Sequence, residues 1–151
     1  MDERELKVRL KRLLAEQLYG VLATTNDAGE PHTSIVAFAS ADDLRSIVYV
    51  TPRDTRKFRN TTTRPQVALF IDDRRGPVEE LMQVTGVEAR GAAELVEPSA
   101  DGLYRELYLA KYPAMREFVD APANAIVKIA VERYEVVERF QHVMVLEPAD
   151  E

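Results

Sequence analysis

The hydrophobic period of this chain switches from helical to alternating near residue 20, and that switch narrows the folds open to it. Leu6, Leu10, Leu13, Leu14 and Leu18 recur at helical spacing, with arginine, lysine and glutamate between them. The pattern predicts an amphipathic helix that ends at Gly20. GVLATT, HTSIVAFAS and RSIVYVT follow as short runs rich in β-branched residues, separated by the turn signals NDAGEP and ADD. Two strands joined by a turn, twice over, predict an antiparallel meander. QVALFIDD predicts another strand and DRRGPVEE a loop. A long strand is expected from Leu81 to Val96, with Gly86 and Gly91 at bulge or bend positions. Pro98 to Val119 predicts a helix broken at Tyr112–Pro113, because a residue before proline avoids the α conformation. AIVKIAVERYEVVERF then makes one or two strands, and HVMVLEP a last one. Six or seven antiparallel strands with flanking helices predict an α+β fold, a small closed or nearly closed Greek-key-like barrel. At 151 residues the chain is expected to form one domain, 1–151.

Composition removes several classes of function. The net charge is −6, which argues against general nucleic-acid binding. There is no cysteine. Disulfides, thiolate nucleophiles, iron–sulfur clusters and cysteine zinc sites are thereby excluded together, and redox chemistry would need a bound cofactor. The opening MDERELKVRLKRLL is charged throughout, unlike a signal peptide, and no apolar run approaches the ~18 residues of a membrane span. The expectation is a cytoplasmic protein.

Against this acidic background, YVTPRDTRKFRNTTTRP gathers Arg53, Arg56, Lys57, Arg59 and Arg64 around a single Asp54. From Arg45 to Arg75 there are eight basic and three acidic residues. Thr51-x-x-Asp54 has the spacing of a capping box; alternatively Asp54 or Thr55 caps a helix beginning at Arg56. Either arrangement converges backbone N–H groups, threonine hydroxyls and two cations on one helix N-terminus, a combination that favours a phosphate dianion. The competing reading is a solvated basic face.

Other constellations carry less. His32 and His142 are the only histidines, and with scattered carboxylates they give no metal-ligand spacing. No serine stands in a nucleophile-elbow context. Gly86-x-x-x-x-Gly91 lacks the Lys-Thr or Lys-Ser of a phosphate loop. Tyr104, Tyr108 and Tyr112 form a helix stripe of the kind that fills a core.

The segment from GVLATTNDAGEPHTSIVAFAS to SIVYVTPRDTRKFRNTTTRPQVALFIDD resembles the pyridoxamine 5′-phosphate oxidase-like family of FMN-binding split barrels. The matching positions are Asp27, Gly29 and Pro31, then Val50–Thr51, Thr55–Arg56–Lys57 and Pro65–Val67. The resemblance implies a split barrel that forms a homodimer and binds FMN, with a deazaflavin or haem as alternatives. It implies that Thr51, Thr55, Arg56 and Lys57 bind the phosphate and that Val50 belongs to the same cofactor site. The ring would lie along Ser34, Ile35, Val36 and Ala37. It further implies an oxidoreductase that takes electrons from a nicotinamide nucleotide, or a non-catalytic carrier or sensor of the same cofactors; no catalytic acid or base is assigned. Where the oxidases of that family carry arginine and lysine on the second strand, this chain has Ser34 and Ala39, and it has no tryptophan. A substrate other than pyridoxamine phosphate is expected.

Overall fold

The computed structural model describes residues 1–74, 76–96, 101–139 and 142–148. The first helix, α1 (Glu3–Glu16), opens with a reciprocal capping box. Asp2 accepts from Glu5 N–H, and the Glu5 carboxylate accepts from Asp2 N–H. Its buried face is Leu6, Leu10, Leu13 and Leu14. The helix stops at Glu16, short of Gly20, because Gln17 turns extended and Tyr19 enters a strand opposite Ala37. Leu18, predicted on the apolar face, is half exposed instead. Gly20 has a packing role: a Cβ there would meet Leu69 Cδ1 at 2.8 Å.

Seven strands follow: β1 (Tyr19–Thr25), β2 (Pro31–Ser40), β3 (Ser46–Pro52), β4 (Gln66–Asp72), β5 (Thr85–Leu95), β6 (Asn124–Glu138) and β7 (His142–Leu146). The order is β3-β2-β1-β4-β5-β6-β7, all neighbours are antiparallel, and β3 also pairs with β6. The first six strands therefore close a barrel, and β7 extends β6 outside it. After the β1-β2-β3 meander the chain crosses by α2 (Arg56–Thr63) to lay β4 beside β1, the Greek-key return. The expected α+β barrel is the observed one. β5 begins at Thr85, not Leu81, because Val78–Gln83 forms a 3₁₀ turn. Of the two glycines on β5, only Gly91 sits at a register shift; Gly86 instead gives room to the Phe70 ring. The predicted helix from Pro98 to Val119 is α3 (Asp101–Lys111), a 3₁₀ turn at Pro113–Met115 and α4 (Arg116–Asp120). Its first three residues lie outside those described.

Inward side chains of all six barrel strands make the main core, which α1 plugs at one end with Leu44 and Tyr134. Leu44 is held at φ 65°, a strained conformation for a leucine. The Tyr134 hydroxyl anchors it by donating to Leu44 O at 2.7 Å. A second core lies outside the barrel, where Tyr108, Leu109 and Val119 cover Ala39, Val48, Val50 and Ile126. Of the tyrosine stripe, Tyr108 is buried in this outer core and Tyr104 and Tyr112 pack, partly buried, against it.

Lys111 ties the two cores together. Its ammonium donates to Leu14 O at 2.9 Å and Gln17 O at 2.6 Å and lies 4.0 Å from the Phe38 ring centroid. Burial pushes its pKa from 10.5 down to about 8. Between those two values the unfolded chain holds a proton that the folded chain has released, so this group makes stability rise with pH. Urea unfolding at about pH 8 and pH 9.5 should show that rise, and Lys111→Met should flatten it.

Candidate functional site

The barrel is not stitched evenly. β2 pairs with β1 from Pro31 to Ala37 but with β3 only from Phe38 to Ser40. Beyond Tyr49, β3 continues with β6 alone, through Val50↔Ile126, Thr51↔Ala125 and Pro52↔Asn124. The wall is thus split between residues 31–37 of β2 and the end of β3. Ser34–Ala37, expected to follow a flat ring, lies on the open lip. Their side chains alternate as the pleat requires: Val36 is buried in the barrel, Ile35 is 70% exposed outside, and Ser34 and Ala37 are half-buried.

The other lip turns into α2. The structure selects Thr55 as its N-cap, accepting from Phe58 N–H at 3.3 Å. Thr51 is fully buried, and its hydroxyl meets that of Thr55 at 2.9 Å. The Thr55 hydroxyl lies 3.0 Å from Pro52 O. Thr51 therefore fixes the cap from behind. Val50 packs its side chain in the outer core. At its far end, α2 is pinned by the buried bond from Asn60 Nδ2 to Thr24 Oγ1 at 3.0 Å, which contributes about 1 kcal/mol.

The cation cluster divides into two kinds. Arg59 donates to Asp54 O at 2.7 Å, Arg64 donates to Asp27 O at 3.0 Å, and the Arg53 guanidinium lies 5.9 Å from the Phe58 ring centroid. These three brace local backbone and packing. Among the described residues, Arg56 and Lys57 have no hydrogen bond or ion pair. Both sit in the first turn of α2, where the N–H groups of an α-helix lack intrahelical partners. Burial pushes the Lys57 ammonium below its ordinary pKa, a cost that a nearby anion would reverse. The donor set therefore fits a phosphate: two cations, first-turn amides and the positive end of a helix dipole.

The histidines lie elsewhere. His32 Nε2 is 3.2 Å from Asn26 Nδ2 in the β1–β2 hairpin, and His142 is exposed on β7. Among the described residues no group of three or more histidines and carboxylates could hold a metal ion. No described helix is long and apolar enough to cross a membrane. Sequence reasoning missed Tyr112 here: its hydroxyl donates to Leu18 O at 2.8 Å and Phe38 O at 2.5 Å, at the top of the split. Tyr-Pro marked a helix break but gave no sign of those partners.

Comparison with known families decides the lineage. A model of the family described as pyridoxamine 5′-phosphate oxidase matches residues 6–138. The chain belongs to that family. A curated member-like protein, the 5a,11a-dehydrotetracycline/5a,11a-dehydrooxytetracycline reductase of Streptomyces rimosus, is 38% identical over 84 residues. That match covers 54% of this chain and 57% of the reductase, so the chain spans little more than half of its relative. A heme binding protein from Mycobacterium smegmatis superposes with a TM-score of 0.81 at 20% identity, covering 94% of this chain and 58% of that one. General Stress Protein 26 from Bacillus anthracis gives 0.73 at 18% identity, covering 95% and 98%. At such identities the two structures establish the shared fold. For the pyridoxamine 5′-phosphate oxidase family, that fold is the split barrel described above.

Proposed function

We propose that this member of the pyridoxamine 5′-phosphate oxidase family binds FMN across the split and works as a flavin-dependent oxidoreductase. The observation that carries the reading is the pair of cations, Arg56 and Lys57, that have no partner among the described residues and stand at a helix N-terminus beside an open strand edge. Arg56 and Lys57 neutralise the phosphate, Thr55 orients the first turn of α2 toward it, and Thr51 holds Thr55 in place. The backbone groups of Ser34–Ala37 that face away from β1 offer hydrogen bonds to the rim of a planar ring, while Ile35 and Ala37 present an apolar surface. The bound flavin would supply hydride and electron transfer between a nicotinamide nucleotide and an acceptor. The reductase relative supports this direction over a carrier role.

A homodimer belongs to the same reading. Ile35, Val21 and Phe70 stand side by side across β2, β1 and β4, facing outward, and are 70%, 37% and 43% exposed. A second copy covering that row, with β5 near the contact, would bury an apolar face that a lone chain leaves in water.

Purified protein, titrated with FMN and followed by absorbance, tests the proposal. Saturable binding with shifted flavin bands, followed by bleaching on addition of NADH or NADPH, is the expected result, with light scattering reporting a dimer. Protein that leaves the FMN spectrum unchanged would overturn it, and a Soret band after haem addition would point to the alternative ligand.

A further inference from the structure

β2 exchanges one neighbour for another at a single step. Ala37 is its last residue opposite β1, facing Tyr19, and Phe38 is its first opposite β3, facing Tyr49. The backbone bond at this corner, from Phe38 N–H to Leu18 O, is long at 3.4 Å and correspondingly weak. A strand that changes partners over a weak rung has little of its own to fix the angle at which it leaves.

Tyr112 supplies what the ladder lacks. Its hydroxyl shares one proton between Leu18 O at 2.8 Å and Phe38 O at 2.5 Å, bridging the entry to β1 and the corner of β2. The residue is itself well fixed. Its N–H donates to Tyr108 O at 2.9 Å, its ring lies 4.8 Å from the Tyr108 ring, and Pro113 follows. Burial, reinforced by Tyr108, holds the phenol protonated well above the ordinary tyrosine range. It is thus a donor at any working pH. Next to it, Lys111 binds Leu14 O and Gln17 O. The end of α3 therefore grips the α1–β1 connection and β2 through two consecutive side chains.

Packing alone does not need the hydroxyl, since phenylalanine would keep the ring against Tyr108. What the oxygen adds is a link between two carbonyls at the point where the split opens. We infer that Tyr112 is a positioning residue for the ring of the bound flavin: it fixes the corner of β2, and so the stance of the Ser34–Ala37 edge relative to Thr51–Lys57. This rests on the flavin reading above. It concerns the ring half of the site and leaves the phosphate half untouched.

Tyr112→Phe tests it with two readouts. In the ligand-free protein, the Phe38 amide should exchange with deuterium several-fold faster than in the parent. FMN and riboflavin should both bind about tenfold more weakly, the scale of one lost hydrogen bond. Their affinity ratio should stay the same, because the phosphate contacts are intact. Unchanged flavin affinities in Tyr112→Phe would overturn the inference, whatever happens to the melting temperature. So would a loss confined to FMN, which would place the effect at the phosphate. If the parent binds neither flavin, the ring-positioning role falls with the flavin reading. Exchange at Phe38 then reports separately whether the hydroxyl holds the corner.

Discussion

Changing Arg56 and Lys57 together to alanine is expected to weaken FMN binding by a hundredfold or more while leaving the fold intact. Each charged hydrogen bond to phosphate contributes ~1.5–3 kcal/mol, so the pair contributes about 3–6 kcal/mol if roughly additive. At ~1.4 kcal/mol per tenfold, this is about two to four decades in affinity. Stability should hardly move, because neither side chain has a partner among the described residues to lose. Riboflavin, which carries the ring without the phosphate, is the control. It should bind the parent weakly and the double variant about equally weakly. Arg59→Ala with Arg64→Ala is the second control. These cations belong to the same cluster, but their guanidinium groups hold Asp54 O and Asp27 O, so FMN affinity should fall little. Equal FMN affinity in the parent and the Arg56/Lys57 variant would return both residues to a solvated basic face.

The largest effect on stability is expected at Gly91. A Cβ there would lie 2.0 Å from Ala130 O and 2.8 Å from Ala130 C, and both atoms are backbone in the facing strand. No rotamer change can relieve that contact; β5 or β6 must move. The two strands form the most extended ladder in the sheet, running from Thr85↔Glu138 to Leu95↔Val127, with its one register shift at Arg90/Gly91. Gly91→Ala should therefore cost about 3 kcal/mol, at the upper end of overpacking effects, and lower the melting temperature by ~10 °C. Gly102→Ala is the matched control, because nothing lies within 4 Å of its added carbon. Its effect should stay within ~0.5 kcal/mol. A Gly91 variant as stable as the parent would mean that the β5–β6 bulge can slip without loss.

What could be read from the residues divides along a physical line. Local signals survived: the alternating runs became strands, Tyr112–Pro113 ended a helix, and Thr55 capped another. Helix and strand ends failed where a distant partner decided them. Leu18 keeps helical spacing, yet the pairing of Tyr19 with Ala37 pulls the chain extended one residue earlier. Leu81 continues an apolar run, but no strand lies beside it, and a 3₁₀ turn forms instead. The N-terminus of α2 was legible because its cap and cations are built within seven residues, Thr51 to Lys57. The open edge of β2 was not, because nothing in HTSIVAFAS says where β2 stops pairing with β3. The last rung toward the split is Phe38↔Tyr49, and the hydroxyl that reaches Phe38 O comes from Tyr112, far along the chain.

The unpaired lip of β2 has a consequence for the protein without its ligand. A strand edge with open backbone donors and acceptors is a template on which another chain can add a strand. Seven residues, Pro31 to Ala37, present such an edge here, and Ile35 adds an exposed apolar side chain to it. Pro31, His32, Thr33 and Ser34 make the outer part polar and proline-led, which discourages that addition. The inner part has no such guard. A ligand filling the split, as proposed, would therefore also shield this edge from other copies of the chain, and its supply during synthesis would bear on how much protein escapes aggregation.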